Sequence, residues 1–272
     1  MGFSATVITT SQWGALPPKN APFELTTPRY IIIHHTDNQN PPKDPSRRTK
    51  DGAMAFARSI QKDHFSRGWS DSGHNFLNTT GGYVLEGRTG SVAAVKQGKS
   101  LRSAHAAQDV GRLPKGNESP GIENEGNFMS FQMGTTQWAS LADLCGELCA
   151  ALSISPTNIR GHREFSNTDC PGDWLFGQLP RLRQEVAEGM DIDLTPGEAF
   201  GTATKKTTKM GDYGPDVMNI QLRLLGSGFS PGALDGIFGE NTRGAVIAFQ
   251  KAFGFKANGI VDAMTRSALG LG

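Results

Sequence analysis

The sequence predicts an α/β domain followed by a small all-helical unit. Three observations carry this. Tyr30-Ile31-Ile32-Ile33-His34-His35 is a continuous apolar run of strand length, the pattern of a central strand buried on both faces. Segments with helical apolar spacing and short β-prone runs alternate as far as residue 188. Between residues 190 and 210 the chain turns to threonine, glycine and lysine without periodicity, and an internal repeat lies beyond it. The expected division is a domain at 1–189, a linker at 190–210 and a second domain at 211–272.

Residues 1–29 read as proline-rich and irregular, with Trp13-Gly14-Ala15 packed as an anchor over the first strand. Side chains alternate across a strand, so His34 and His35 point to opposite faces, and spacing does not say which faces a site. Residues 38–50 form a polar loop whose length suits a rim or lid. Residues 52–65 read as a helix with Ala53, Phe56, Ala57 and Ile60 on one face, and His64 near its end complements the helix dipole. Two β-prone runs around Gly81-Gly82 predict a hairpin, with His74 at its entrance either a site residue or a hydrogen-bonded strand histidine.

Residues 121–126 predict a short strand whose Glu123 and Glu125 share a face. Buried carboxylates are costly unless paired or functional, so these two stand above ordinary surface acids. Leu141, Leu144, Cys145, Leu148, Cys149 and Leu152 form an apolar helical stripe, which places Cys145 and Cys149 in the core. Residues 173–188 are expected to close the domain as a helix. In the second unit, Asp235-Gly236-Ile237-Phe238-Gly239-Glu240-Asn241-Thr242 recurs as Asn258-Gly259-Ile260-Val261-Asp262-Ala263-Met264-Thr265, each copy a turn leading into a helix.

A formal net charge of +1 does not suit an electrostatic nucleic-acid binder. No apolar run approaches the 18 or more residues of a membrane span. Three cysteines do not make a disulfide framework. The first residues lack a basic stretch followed by an apolar one, so no secretory signal is expected. The chemistry points elsewhere. His162 and Cys170 stand eight positions apart in one loop, and Cys170 has no apolar stripe around it. Neutral imidazole and thiolate are good Zn²⁺ ligands, and a third ligand is expected from the His34-His35 pair.

Five ordered motifs then carry a resemblance. They are His34-His35-Thr36, Gly73-His74-Asn75-Phe76-Leu77, Ser103-Ala104-His105-Ala106, Gly121-Ile122-Glu123-Asn124-Glu125-Gly126, and Gly161-His162-Arg163-Glu164 with Asp169-Cys170-Pro171-Gly172. Together they resemble the type-2 N-acetylmuramoyl-L-alanine amidases, which share a fold with peptidoglycan recognition proteins and amidase-type phage lysozymes. The likeness covers roughly residues 10–188, and residues 211–271 resemble the three-helix peptidoglycan-binding module.

The resemblance implies a mixed central β-sheet flanked by helices, then a three-helix all-α domain. It implies Zn²⁺ on His34, His162 and Cys170, and hydrolysis of the amide between N-acetylmuramic acid and L-alanine. Glu123 is the expected general base, with His74 the alternative or a partner. Thr168 is expected to hydrogen-bond the developing oxyanion, and His105 to contact substrate at the rim. Many family members carry tyrosine where this chain has His74 and lysine where it has Thr168. Peptidoglycan is the expected partner of both domains, the protein a monomeric phage endolysin held in the host cytoplasm until release. A non-catalytic peptidoglycan receptor and a secreted autolysin are the competing expectations.

Overall fold

In the computed structural model, which describes residues 3–40, 44–109, 112–194 and 207–271, the N-terminal segment is more ordered than its prolines suggest. It contains β1 (Val7–Ile8), the single turn α1 (Thr10–Trp13) and β2 (Leu25–Thr26). The cause is a buried carboxylate far along the chain. Glu86 accepts hydrogen bonds from Thr10 N and Oγ1 at 3.0 and 3.1 Å, and from Gly90 N and Val92 N at 3.1 and 2.9 Å. Trp13 is 1% exposed and donates from Nε1 to the Glu86 carbonyl at 2.8 Å. It packs with Ala53, Phe56, Ala57, Leu77 and Leu85, so it anchors a helix and a hairpin.

The remaining elements of this region are β3 (Ile31–His35), α2 (Lys50–Ser66), β4 (Phe76–Asn78), β5 (Val84–Glu86), α3 (Ser91–Lys96) and β6 (Ser100–Leu101). After them come β7 (Gly121–Asn124), α4 (Thr135–Leu152), β8 (Ile159–Gly161), α5 (Asp173–Gly177) and α6 (Leu179–Gly189). Residues 41–43 of the expected rim loop lie outside the described residues, and a 3₁₀ turn, Pro45–Arg48, then leads into α2. Thr49 caps α2 by accepting from Gly52 N at 3.1 Å.

Six strands form one mixed sheet in the order β1-β5-β4-β7-β3-β8, and β2 pairs with β6 separately. The β4/β5 hairpin is antiparallel; β7, β3 and β8 run parallel to one another. Ile31, Ile32 and Ile33 are fully buried, as a strand with parallel neighbours on both sides requires. Leu141, Leu144, Cys145, Leu148 and Cys149 of α4 are buried as well, so the two cysteines are core side chains.

The C-terminal unit holds α7 (Pro215–Gly226), α8 (Glu240–Ala252) and α9 (Ala263–Ala268) around Val217, Ile220, Leu224, Phe238, Val246, Phe249 and Val261. The sequence repeat is a repeated knot. Gln221 Nε2 donates to Asp235 Oδ1, Ile237 O and Thr242 Oγ1, while its Oε1 accepts from Gly236 N at 2.8 Å. Gln250 does the same with Asn258 Oδ1, Ile260 O and Thr265 Oγ1, and accepts from Gly259 N at 2.9 Å.

Two compact units emerge: Met1–Gly172 with Glu185–Asp193, and Asp173–Gln184 with Leu194–Gly272. Helix residues 173–184, expected in the first domain, therefore group with the second. Gln178 Nε2 donates to Leu234 O at 3.1 Å, and Gly177 lies against the backbone of Asp235 and Gly236. Most of the expected linker, residues 195–206, lies outside the described residues.

Candidate metal centre

Three adjacent parallel strands deliver the site at their carboxyl ends. His34 is the fourth residue of β3, Glu123 the third of β7, and His162 directly follows β8. Crevices beyond the carboxyl ends of parallel strands are where α/β sheets hold ligands. Register pairs His34 with Glu123, and Glu123 with Leu77 of the α2-packed cluster, so these side chains share the face that α2 covers. His35 leaves the other face, where its Nδ1 accepts from Phe128 N at 3.1 Å.

His34, His162 and Cys170 meet with their donor atoms within 4.8 Å of one another. His34 Nδ1 lies 3.6 Å from Cys170 Sγ, which also accepts from His35 N at 3.4 Å. Arg163 staples the cysteine loop: its N–H donates to Cys170 O at 3.0 Å and its guanidinium to Asp169 O. Glu164 closes the turn carrying His162 by accepting from Gly161 N at 2.8 Å and from Arg160 at 3.1 Å. At Gly172 the backbone has φ +91°, and a Cβ would stand 2.3 Å from the Phe128 backbone, so glycine is required after the Cys-Pro pair.

Five of the chain's six histidines gather here. Ring centroids of His162, His74 and His105 lie 4.4, 4.6 and 4.7 Å from that of His34, and His64 lies 6.0 Å from His74. Burial, then the neighbouring imidazoles, hold His34 well below its ordinary pKa. Burial likewise lowers His162 to about 4 and His74 to about 3. These rings are neutral and keep lone pairs. Burial, followed by the Glu123 charge, raises the Cys170 thiol, which ionises only beside a cation. Two neutral imidazoles and such a thiol fit Zn²⁺.

Glu123 is buried, its Oε2 against His74 Nδ1. Burial pushes its carboxyl up to about 7, with nearby histidines opposing. Glu125 differs: Arg47 pairs with it, and Thr80 N donates to it at 3.1 Å. Thr168 is half-buried, and its Oγ1 accepts from Cys170 N at 3.2 Å. His105 needs a correction. It is not at a rim but 5% exposed beneath His34, because its ring is held between His34 and the Ser119 carbonyl. His64 also does more than meet a helix dipole: its Nδ1 accepts from Gly73 N at 3.0 Å and its ring stacks on Trp69.

Residues 24–173, more than half of the chain, match the family described as N-acetylmuramoyl-L-alanine amidase. The chain belongs to that family. Residues 213–269 match a peptidoglycan binding domain. An N-acetylmuramoyl-L-alanine amidase of Sus scrofa is 32% identical over 182 residues, 64% of this chain and 27% of that protein. Peptidoglycan-recognition protein SC2 of Drosophila melanogaster is 27% identical over 176 residues, 64% of this chain and 84% of that protein. Among solved structures, wild-type Drosophila PGRP-LB superposes with a TM-score of 0.50 at 25% identity, covering 70% of this chain and 97% of that one. The chain spans little more than a quarter of the length of the mammalian amidases it matches.

In this amidase-family chain, sequence reasoning missed the Arg163 staple, the burial of His105 and the place of His64. Arg163 lies inside a motif already singled out and was within reach. For His64 and His105 no local pattern marks a ring that meets its neighbours only through tertiary packing.

Proposed function

We propose that this protein is a zinc-dependent N-acetylmuramoyl-L-alanine amidase that cleaves the bond between the lactyl group of N-acetylmuramic acid and L-alanine in peptidoglycan. The observation that carries the reading is the meeting of His34, His162 and Cys170 beside a buried carboxyl held near neutrality. When bound by those three side chains, Zn²⁺ supplies Lewis acidity and lowers the pKa of water from 15.7 to about 7.

The chain's own residues supply the rest. Glu123, with its pKa raised to about 7, takes a proton from the attacking water at a carboxylate oxygen and delivers it to the departing nitrogen. His74, neutral and against Glu123 Oε2, orients that carboxyl. The Thr168 hydroxyl, whose oxygen accepts from Cys170 N, keeps its own hydrogen for the developing oxyanion. Peptidoglycan is the partner of both units, and the C-terminal one raises the effective concentration of the first at an insoluble wall. The role extends to that of a monomeric phage endolysin, kept in the host cytoplasm until it reaches the wall; the pairing of an amidase unit with a wall-binding unit supports it.

Zinc-loaded protein should clear a suspension of cell walls, and mass spectrometry of defined muropeptides should find free L-alanine amino termini. Chelated protein should do neither. Binding without cleavage by the zinc-loaded protein would favour a receptor, the reading to which the recognition-protein relatives lend weight.

A further inference from the structure

On the metal-site reading above, we infer that His105 is a positioning residue that fixes the tautomer of His34, so that the bare Nδ1 of His34 faces the metal. His105 Nε2 lies 3.0 Å from the Ser119 carbonyl oxygen, and His105 Nδ1 lies 2.9 Å from His34 Nε2. A carbonyl only accepts, so the ring hydrogen of His105 sits on Nε2. His105 Nδ1 is then a bare acceptor, and the ring hydrogen of His34 must sit on Nε2 to meet it. That leaves the lone pair of His34 Nδ1 free on the side of Cys170 Sγ, 3.6 Å away. Moving the hydrogen of His34 alone to Nδ1 sets two bare nitrogens against each other, and moving both hydrogens keeps the His–His bond but sets the bare Nε2 of His105 against the Ser119 carbonyl. A second hydrogen on either ring places a charge on side chains only 2% and 5% exposed.

The far end of this relay is rigid. Ser119 is fully buried, its Oγ donating to Lys115 O at 3.2 Å and accepting from Arg29 N and Tyr30 N at 3.3 Å. The backbone is pinned on both sides of His105, Ala104 N donating to Gly73 O and Ala106 N to Asn117 Oδ1 at 2.8 Å. The ring itself packs against Gly121. A Cβ there would come within 2.6 Å of His105 Cδ2 and Nε2, so the first residue of β7 is glycine to make room for the imidazole. Partners that hold a ligating histidine by its second nitrogen orient the ring and raise its basicity.

The test uses full-length protein and zinc itself. Long-range ¹⁵N–¹H spectra of the metal-free chain should show His34 and His105 both protonated at Nε2; a hydrogen on His34 Nδ1 overturns the inference. Chelator competition should find zinc bound about 10- to 100-fold more weakly by His105→Phe, which keeps a ring but loses the acceptor. His105→Asn, whose amide oxygen restores an acceptor, should recover most of that loss, and Gly121→Ala should weaken zinc like the Phe variant. A folded His105→Phe protein with wild-type zinc affinity overturns the inference. Should that variant not fold, the spectra and Gly121→Ala decide. Failure of the wild-type chain to take up zinc sinks the metal-site reading instead, and the metal-free spectra still decide the tautomer.

Discussion

Two glutamates two positions apart, one in β7 and one just beyond it, have opposite fates, and the difference lies in their partners. Glu125 has a guanidinium and a backbone N–H, whereas Glu123 has a neutral imidazole and, among the described residues, no cation paired with it. Glu123→Gln should therefore retain zinc by metal analysis yet lose about 10²- to 10⁴-fold in muropeptide hydrolysis, the range for a general acid–base group. Glu125→Gln should leave the rate near wild type and lower stability by about 1–3 kcal/mol, read as a lower urea midpoint, because the amide keeps one acceptor and faces a donor with its NH₂ at the other. The cysteines divide the same way. Burial raises Cys145 and pushes Cys149 to about 12, so neither should be alkylated by iodoacetamide at pH 8 in native protein, while both react in urea. Rapid native labelling of Cys149 would contradict its place on α4.

Elements here are held by single polar side chains reaching over long stretches of chain. Glu86 binds α1 and the start of α3 to β5 through four donors. Its replacement by alanine should cost about 3 kcal/mol, since hydrogen bonds to a charged group are among the stronger ones and all four donors lose their acceptor. Differential scanning calorimetry would read the loss. In the C-terminal unit Gln221 and Gln250 each tie a glycine turn to the helix after it. Because the two knots match bond for bond, Gln221→Ala and Gln250→Ala should destabilise that unit alike, by about 2 kcal/mol each. A large effect at one and none at the other would mean that the repeat is not a mechanical duplicate.

For the whole molecule, the histidine cluster makes stability depend on pH. The rings of His34, His35, His64, His74, His105 and His162 are all lowered, chiefly by burial, those of His64, His74 and His162 to about 3 to 4. Their unfolded value is about 6.5. Between these limits the unfolded chain binds more protons, so stability is fully present above about 6.5 and drains as pH falls toward 4. Glu123, raised to about 7, works in the opposite sense, its contribution being lost as pH rises through 7, but it is one group against six. The urea midpoint of metal-free protein should fall between pH 7 and pH 5. Zinc should deepen that dependence, because protons compete for the same lone pairs.

Local periodicity and residue chemistry made much of this legible. The isoleucine run gave a buried strand, the leucine-cysteine stripe gave α4, the repeat gave the helical unit, and the His-Cys loop gave two members of the donor set. Each rests on neighbours in the chain, which a sequence displays directly. The choice of His34 over His35 came from the resemblance; in the fold it follows from the register of β3 against β7. The separation of Glu123 from Glu125, the depth of His105 and the grouping of residues 173–184 with the second unit depended on partners dozens of positions away. Such pairings are set by how strands register and helices pack, and a linear chain carries no local mark of them.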